Sequence, residues 1–481
     1  MSIDQDINNA FQPVSEAVSN VIFYTVPVQI NGEVFDIKLI LVWLALASLF
    51  FTAYLGFINL RYFGHAINII RGKYDKAGED GQISSLQALM TSLSGTVGLG
   101  NIGGVAVAVS VGGPGAVFWM AVMGLFGMSA KFAEAAMGVK YRHHPDPDDP
   151  KTISGGPMYY LRDAFDNFGI PYLGHIMAAV FCLCCIGGAI GGGNMFQANQ
   201  SFQQLVNVTG GETGFLADKG WAYGLFLAVL TGLVIIGGIK SIARVASKIV
   251  PLMGAIYLVA GLIVIAMFYE NIPSAMVTIF KMAITPEAGF GAVIGALLMG
   301  VQRAAFSNEA GIGSAAIVHA TARTDSHIRQ GFVGMLGPFI DTIVICMVTA
   351  LVIVITGAYE GSEGMEGVSL TSRAFEQGIS FFPYILALTV FLFAFSTLIA
   401  WSYYGLKSAT YLFGERKSVD LIYKLIFCAF VVVGSSSTLD HIIGFSDAVL
   451  FAMAIPNLIG LYFLAPELKQ DLKKYLQDNL K

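Results

Sequence analysis

Eleven predominantly apolar runs, joined by short polar loops, make up most of this sequence. A bilayer core of about 30 Å is crossed by a helix of about 20 apolar residues, and each run approaches or exceeds that length. Lipid offers no hydrogen-bond partner to backbone groups, so such runs cross the membrane as helices. With only 12% of its residues charged, the chain is predicted to be an all-α polytopic membrane protein with about eleven transmembrane helices. The runs lie at residues 37–60, 86–112, 114–139, 174–207, 221–239, 249–269, 288–320, 331–357, 380–412, 419–437 and 442–464.

The distribution of basic residues predicts how the chain is oriented. If the amino terminus lies outside, most loops rich in lysine and arginine fall on the opposite side of the membrane. The positive-inside rule identifies this side as the cytoplasm. We therefore predict a multi-pass plasma-membrane protein with an external amino terminus and a cytoplasmic carboxyl terminus. The basic residues form no continuous stripe, which argues against a nucleic-acid partner.

An odd number of spans is consistent with one extra helix followed by two sets of five. Five-helix halves that begin on opposite sides of the membrane have opposite topologies, as in the inverted repeats of secondary transporters. We infer the repeat from topology, because the halves share no convincing residue-level identity. The predicted division is residues 1–85 for an N-terminal segment with the extra helix and a cytoplasmic amphipathic helix over 61–80, 86–270 for the first five-helix repeat, 271–465 for the second, and 466–481 for a cytoplasmic tail.

The first run of each half carries glycines and polar residues where a membrane helix should be continuous. Residues 92–104 read Ser-Leu-Ser-Gly-Thr-Val-Gly-Leu-Gly-Asn-Ile-Gly-Gly, and residues 306–313 read Phe-Ser-Asn-Glu-Ala-Gly-Ile-Gly. Unwound backbone persists at membrane depth only where it lines a cavity or is buried in protein. A helix broken there offers free amides to an anion and free carbonyls to a cation, which is how many secondary transporters build their central site.

The glycine run of the first half has two alternative interpretations. Residues 98–103 match the dinucleotide pattern G-x-G-x-x-G, but no βαβ pattern surrounds them, and the next acidic residue, Glu134, is too distant to meet a ribose. Helix packing through small residues of the G-x-x-x-G type is the second alternative. Ser94, Thr96 and Asn101 add polarity that packing does not need, which favours a broken helix.

Charged residues inside membrane spans are functional hypotheses by default. Lys131 and Glu134 are three residues apart and favour an ion pair, and Asp447 is expected to be solvated near the outer end of its span. Glu309, beside the second break, either supports the unwound backbone or handles an ion or proton directly. Arg303, toward the outside of the same helix, is a candidate for an outer gate. The six charged residues away from the span ends are Lys131, Glu134, Arg303, Glu309, Asp341 and Asp447.

Four motifs occur in order along the chain: Gly-Asn-Ile-Gly at 100–103, Gly-Gly-Pro-Gly-Ala-Val-Phe-Trp at 112–119, Ser-Asn-Glu-Ala-Gly-Ile-Gly-Ser-Ala at 307–315 and Phe-Ser-Thr-Leu-Ile-Ala-Trp at 395–401. Together they resemble the alanine or glycine:cation symporter family of the amino acid-polyamine-organocation superfamily. The resemblance extends from Arg61 to Pro466. It implies a LeuT-type fold with a five-plus-five inverted repeat, and uptake of alanine or glycine with sodium and, in some members, protons.

The resemblance implies a substrate site at the two breaks. The amides of Leu99 and Gly100 would bind the substrate carboxylate, because an unsatisfied N-terminal turn favours an anion. Trp401 would limit the volume of the substrate side chain, with an interfacial belt position as the alternative. Asn194, Gln197 and Gln200 form a polar stripe that must face protein or water, with Gln197 as the first candidate for the substrate amine and Gln200 as the second. The remaining implied substrate residues are Thr96, Gly98 and Asn101 at the first break and Phe306, Ser307 and Asn308 at the second.

The resemblance also implies a sodium site between the first break and the ninth run. Hard cations prefer oxygen ligands, and the carbonyls of Ser94 and Val97 would face the ion. Ser396 and Thr397 lie three and four residues after Phe393, a spacing that points both hydroxyls and the Phe393 carbonyl at one spot. Back-bonding of the two hydroxyls to their own helix is the alternative.

These features predict a sodium-coupled symporter that imports alanine or glycine by alternating access, with sodium as the coupling ion and no other cofactor. Ion and substrate would share the broken helices, which couples their binding. A proton-coupled transporter of the same fold is the main alternative. An intramembrane enzyme would need a catalytic motif such as His-Glu-x-x-His or G-x-S-x-G, and the sequence contains neither. A channel would need a pore ring from several chains.

Overall fold

The N-terminal part of the chain combines one helix, two strands and the first apolar helix. The computed structural model describes residues 3–30, 33–74, 76, 78–145, 152–285, 290–361 and 367–479. Strands β1 (Thr25–Ile30) and β2 (Glu33–Lys38) are antiparallel, with Thr25 opposite Lys38. The elements up to residue 70 are α1 (Ile3–Ile22), β1 (Thr25–Ile30), β2 (Glu33–Lys38), α2 (Leu39–Tyr54), α3 (Ile58–Arg61) and α4 (Phe63–Ile70).

All further elements of the described chain are helical. Three of them are π-helical segments, Gly100–Gly104, Gly191–Met195 and Phe339–Cys346, and two are 3₁₀ turns, Gly211–Thr213 and Tyr269–Asn271. The α-helices before residue 286 are α5 (Ser85–Thr96), α6 (Val105–Gly112), α7 (Gly115–Lys140), α8 (Pro157–Asn167), α9 (Pro171–Ile190), α10 (Phe196–Val208), α11 (Gly220–Ile235), α12 (Gly238–Met267) and α13 (Ile272–Ile284). Those after it are α14 (Phe290–Asn308), α15 (Ser314–His319), α16 (His327–Pro338), α17 (Met347–Thr356), α18 (Val368–Gly378), α19 (Phe382–Phe413), α20 (Lys417–Ser436), α21 (Leu439–Ala452) and α22 (Ala454–Asn479).

The described helices are long and apolar enough for several membrane crossings. By length and composition seven of them qualify, and the bent pair of α5 and α6 makes an eighth. Helices α2 and α11 are shorter but also apolar. The outer faces carry exposed apolar side chains, such as Leu421 and Leu425 of α20 at 59% and 61% exposure, which suit the apolar core of a bilayer. The chain is therefore a multi-pass helical membrane protein.

The first break lies within the glycine run. Helix α5 ends at Thr96, Val97 leaves the helical conformation with ψ of 85°, and the two half-helices meet at a bend of 54°. A Cβ added at Gly98 would lie 2.5 Å from Thr397 Oγ1 on α19. Only glycine therefore lets the broken segment approach α19 this closely.

The second break separates α14 from α15. Glu309, Gly311 and Gly313 all adopt positive φ, at 55°, 90° and 93°. This left-handed region is readily accessible to glycine but costly for other residues, so Glu309 must be held there by its surroundings. The Ser-Asn-Glu-Ala-Gly-Ile-Gly motif thus ends one helix and begins the next.

The cytoplasmic amphipathic helix predicted over residues 61–80 is shorter than expected. Helix α3 ends at Arg61 and α4 ends at Ile70. Gly72, at φ of 80°, turns the chain away from the helix axis. The remaining described residues of this segment form no further helix, and the backbone from Asp80 onward has partners elsewhere in the chain.

Those partners lie in the segment that follows α15. The amide of Gln82 donates to the Thr321 carbonyl at 2.9 Å, and the amide of Arg323 donates to the Ile83 carbonyl at 2.7 Å. We call this pairing of residues 80–83 with 321–324 the backbone latch. It joins the chain entering the first broken helix to the chain leaving the second. The Arg142 guanidinium donates to carbonyls of the same region, those of Ala320, Ala322 and Thr324.

Candidate functional site

A small cavity lies where the two breaks meet. About 10 Å³ of it is open to the centre of a water molecule, close to the least volume that holds one water. The site is therefore closed in this conformation. Five predicted substrate residues line the cavity, namely Thr96, Gly100, Gln197, Phe306 and Trp401, together with Gly95, Gly192, Glu309 and Leu450.

Polar side chains satisfy the amides of the first break. The amide of Leu99 donates to Gln197 Oε1 at 2.9 Å, and the amide of Gly98 donates to Asn101 Oδ1 at 2.9 Å. Amides at a helix N-terminus have no acceptor within their own helix, so side chains take that role. Gln197 Nε2 in turn donates to the Gly192 carbonyl at 2.8 Å in a π-helical segment. Gln197 thus occupies the position predicted for a substrate carboxylate.

Trp401 closes the cavity on the side of α19. Its Nε1 donates to the Gly95 carbonyl and to Glu309 Oε1, both at 3.2 Å. The side chain is 1% exposed, so the alternative of an interfacial belt position is wrong. A Cβ added at Gly193 would lie 2.2 Å from Trp401 Cγ. The indole is therefore wedged between both breaks and the π-helical segment Gly191–Met195.

Asn101, Ser307 and Asn308 lie outside the cavity lining and form a buried polar cluster. Asn101 Nδ2 donates to Asp341 Oδ1 at 2.7 Å, and the Ser307 hydroxyl donates to Asp341 Oδ2 at 2.6 Å. Asn308 Nδ2 donates to Thr342 Oγ1 at 3.1 Å. The cluster links both breaks to the π-helical segment that carries Asp341.

The residues of the predicted sodium site link α5 to α19. The Ser94 hydroxyl donates to the Ser396 carbonyl at 2.6 Å. The Ser396 hydroxyl donates to the Phe393 carbonyl at 3.0 Å, which is the back-bonding named as the alternative. Thr397 Oγ1 is buried and has no hydrogen-bond partner among the described residues, and Val97 follows the end of α5. Oxygen atoms of the first break and of α19 thus lie beside each other.

Side chains from two neighbouring helices hold the second break. Lys131 Nζ of α7 donates to the Glu309 carbonyl at 3.1 Å, and Glu134 Oε1 of the same helix accepts from the Gly313 amide at 2.9 Å. Asn457 Nδ2 of α22 donates to a further carbonyl of the break at 2.9 Å. The predicted pair of Lys131 and Glu134 is also present, with Nζ and Oε2 3.8 Å apart. These groups replace the hydrogen bonds that an intact helix would make.

A buried ion pair lies beside Phe306, a residue of α14 that lines the cavity. Arg303 pairs with Asp447 of α21, and both side chains are at most 2% exposed. The expectation that Asp447 is solvated is therefore wrong, because a buried arginine requires a buried counter-charge. Gln302 Nε2 also donates to Asp447 Oδ2, at 2.6 Å. The Arg303 guanidinium lies 5.2 Å from the ring centre of Phe306, which lines the cavity.

Sequence reasoning missed several residues of this region. Asn457 interrupts the apolar run 442–464, so its polarity was a usable signal. Gly192 lies in the glycine-rich stretch that directly precedes the polar stripe of Asn194, Gln197 and Gln200, and no role was predicted for it. Leu450 could not be predicted from the sequence, because it is one of several apolar residues in the run 442–464 and only the packing of the helices places it at the cavity.

Comparisons with known proteins provide independent findings. The profile of the sodium:alanine symporter family matches residues 21–481. The chain is 41% identical over 441 residues to the sodium/alanine symporter AgcS of Methanococcus maripaludis, covering 90% of this chain and 93% of AgcS. It is 34% identical over 420 residues to the amino-acid carrier protein AlsT of Bacillus subtilis, covering 87% and 85%. The names of the family and of both relatives describe symporters or carriers, not enzymes.

A solved structure shares the fold. The structure of MhsT in complex with L-phenylalanine is similar to this chain with a TM-score of 0.55 and 15% sequence identity. The match covers 82% of this chain and 99% of the MhsT chain. The likeness at this identity concerns the fold alone.

Proposed function

Because this chain belongs to the sodium:alanine symporter family, we propose that it imports alanine or glycine together with sodium by alternating access. The observation that carries the proposal is the closed cavity between two broken segments, flanked by backbone groups of both. Sodium is the coupling ion of the family, and an amino acid is the second transported partner.

The substrate carboxylate would bind at the first break in place of Gln197. The Leu99 amide now donates to a neutral amide oxygen, and a carboxylate is a stronger acceptor. The N-terminal end of a helix also favours an anion. Binding then requires the Gln197 side chain to rotate away from the amide. The residues proposed to surround this end of the substrate are Thr96, Gly98, Leu99, Gly100, Asn101 and Gln197.

The remaining walls favour a small substrate side chain. Phe306 and Trp401 are both buried and both line the cavity. Trp401 has little room to retreat, since Gly193 lies directly behind it. Alanine or glycine would therefore fit with a modest expansion of the cavity, whereas a larger side chain would displace the indole. Ser307 and Asn308 support the Phe306 wall through their bonds to the Asp341 segment.

We assign sodium to Ser94, Val97, Phe393, Ser396 and Thr397. These residues bring oxygen atoms from α19 next to the first break, and hard cations prefer such ligands. The buried Thr397 hydroxyl without a partner among the described residues supports this assignment. Sodium bound there would stabilise the broken conformation that binds the amino acid, and linkage requires the reverse as well.

The proposed topology has eleven spans and an inverted repeat. The eight spans found by length and composition would be completed by α2, α11 and the broken pair of α14 and α15. The two breaks then begin the repeats 86–270 and 271–465. We place the amino terminus outside and the carboxyl terminus in the cytoplasm of a plasma-membrane protein, on the basis of the basic loops.

In this orientation the closed cavity has a barrier on each side. The Arg303–Asp447 pair would form the outer gate, and the backbone latch would close the cytoplasmic side. Glu309 supports the second break from within. Alternating access requires that the two barriers open in turn.

The function is tested by uptake of labelled alanine and glycine into proteoliposomes. We expect uptake that is strong with an inward sodium gradient and weak with sodium equal on both sides. Uptake driven equally well by a proton gradient without sodium would favour the proton-coupled alternative, and uptake without saturation would favour a channel. No uptake of either amino acid would refute the substrate assignment.

The sodium site is tested by the double variant Ser396→Ala, Thr397→Ala. It should raise the sodium concentration for half-maximal alanine uptake by about tenfold, the effect of about 1.4 kcal/mol of lost binding free energy. Thr389→Ala is a matched control, because among the described residues this buried hydroxyl of α19 bonds only to the Ile385 carbonyl of its own helix. An unchanged sodium dependence in the double variant would place the ion elsewhere.

A further inference from the structure

The carboxylate of Glu309 lies at the cavity without a cationic partner. It lines the cavity and is 3% exposed. Its oxygens accept hydrogen bonds from two neutral donors, Trp401 Nε1 at 3.2 Å and the Ser314 hydroxyl. Among the described residues, no nitrogen of a lysine, arginine or histidine side chain lies within 4.0 Å of this carboxylate. A buried carboxylate is costly unless a cation or several strong donors compensate it.

The nearest buried lysine serves other groups. Lys131 Nζ donates to the backbone carbonyl of Glu309 and lies 3.8 Å from Glu134 Oε2. Its charge is therefore shared with Glu134, whose side chain is fully buried. The other buried cation near the cavity, Arg303, is paired with Asp447. Among the described residues, the Glu309 carboxylate at the cavity wall therefore has no ion-pair partner within 4.0 Å, and the charge of Lys131 acts on it only at longer range.

A second acceptor faces the same point. The carbonyl of Gly95 lies in the last turn of α5 and, like Glu309 Oε1, is 3.2 Å from Trp401 Nε1. The C-terminal end of a helix carries partial negative charge. The cavity is thus lined by a carboxylate and by the C-terminal turn of a helix, and also by Gly100 at the start of the second half-helix. This polarity matches the two charges of an α-amino acid.

We propose that Glu309, with the Gly95 carbonyl, binds the ammonium group of the amino-acid substrate. The inference rests on the proposed function, because it names the cationic half of the same substrate site. It differs from the prediction that Gln197 binds the amine; in this conformation Gln197 Oε1 accepts from the Leu99 amide. A substrate analogue with a hydroxyl in place of the ammonium would leave the carboxylate uncompensated and would bind poorly.

The test measures alanine binding by calorimetry at saturating sodium with Glu309→Gln. Glutamine keeps an acceptor for Trp401 and a partner for Ser314 but removes the charge. We expect alanine affinity to fall by about tenfold or more, as a charge-assisted bond becomes a neutral one. The control Glu134→Gln removes the other carboxylate of the second break, which contacts the Gly313 amide and not the cavity. It should lower thermal stability and leave alanine affinity within about threefold of wild type.

A second measurement uses the wild-type protein and does not depend on the folding of a variant. A hydrophobic carbodiimide is added in the presence of sodium, and modification of Glu309 is quantified by peptide mass spectrometry. Alanine should protect Glu309, whereas lactate, its hydroxy analogue, should not.

The outcomes separate the two proposals. If the wild-type protein shows no sodium-dependent alanine binding, the proposed function fails. If it binds alanine but Glu309→Gln binds it equally well, or if alanine and lactate protect Glu309 to the same degree, only the ammonium assignment is overturned.

Discussion

Replacing Lys131 with methionine should destabilise the protein strongly. Methionine has a similar length but no charge, so the variant leaves the Glu134 carboxylate without its partner and the Glu309 carbonyl without its donor. Both side chains of the pair are at most 1% exposed. Removing one partner of a buried pair costs about 3–5 kcal/mol, and a lost hydrogen bond adds about 1 kcal/mol. The free energy of unfolding should therefore fall by about 4–6 kcal/mol.

A double-mutant cycle separates the charge effect from a simple loss of packing. Thermal midpoints of the purified protein in detergent are compared for wild type, Lys131→Met, Glu134→Gln and the double variant. Because the double variant contains no unpaired carboxylate at this position, it should be more stable than the sum of the two single effects predicts, by about 1 kcal/mol or more. Additive effects, or an unchanged midpoint for Lys131→Met, would show that the pair does not support the second break.

Two glycines give further predictions. Gly193→Ala would place a Cβ 2.2 Å from Trp401 Cγ, and such overpacking costs about 1–3 kcal/mol. Alanine binding measured by calorimetry should therefore weaken by about tenfold or more. Binding with wild-type affinity would show that Gly193 does not fix the position of Trp401. Gly81→Ala would place a Cβ 2.2 Å from Arg323 Cα and should loosen the backbone latch. A cysteine introduced at Thr321 should then react faster with a thiol reagent added on the side that we propose is cytoplasmic. An unchanged rate would argue against the proposal that the latch closes that side of the cavity.

The broken helices were accessible to sequence reasoning because their cause is local. Glycines and polar residues inside an apolar run conflict with a continuous membrane helix, and both motifs produce breaks. The pairing of residues 80–83 with 321–324 was not accessible, because the two segments are distant in sequence and carry no side-chain pattern that indicates it. The helix end at Ile70, by contrast, follows from the local turn at Gly72.

In the candidate site, too, some features could be predicted from local motifs and others depend on distant partners. Trp401 and Phe306 could be predicted from motifs, and both line the cavity. The detailed pairing could not, because neighbouring helices compete for each polar group. Gln197 satisfies an amide of the first break, and Asn101 bonds to Asp341 on a different helix. Which acceptor a side chain selects depends on the assembled packing, so the sequence could only propose the set of groups.

The backbone latch has a thermodynamic consequence. Its bonds join main-chain groups, so side chains at these positions affect their strength only where they disturb the backbone fit, as a Cβ at Gly81 would. If the latch opens toward the cytoplasm, water takes the place of each lost partner, and each bond then contributes only about 0.5–1.5 kcal/mol net. A few such bonds add up to roughly the 1–3 kcal/mol typical of coupling between binding sites. In the proposed transport cycle, the free energy of binding or releasing the amino acid is therefore sufficient to open or close the latch. Its closed and open forms then differ little in free energy.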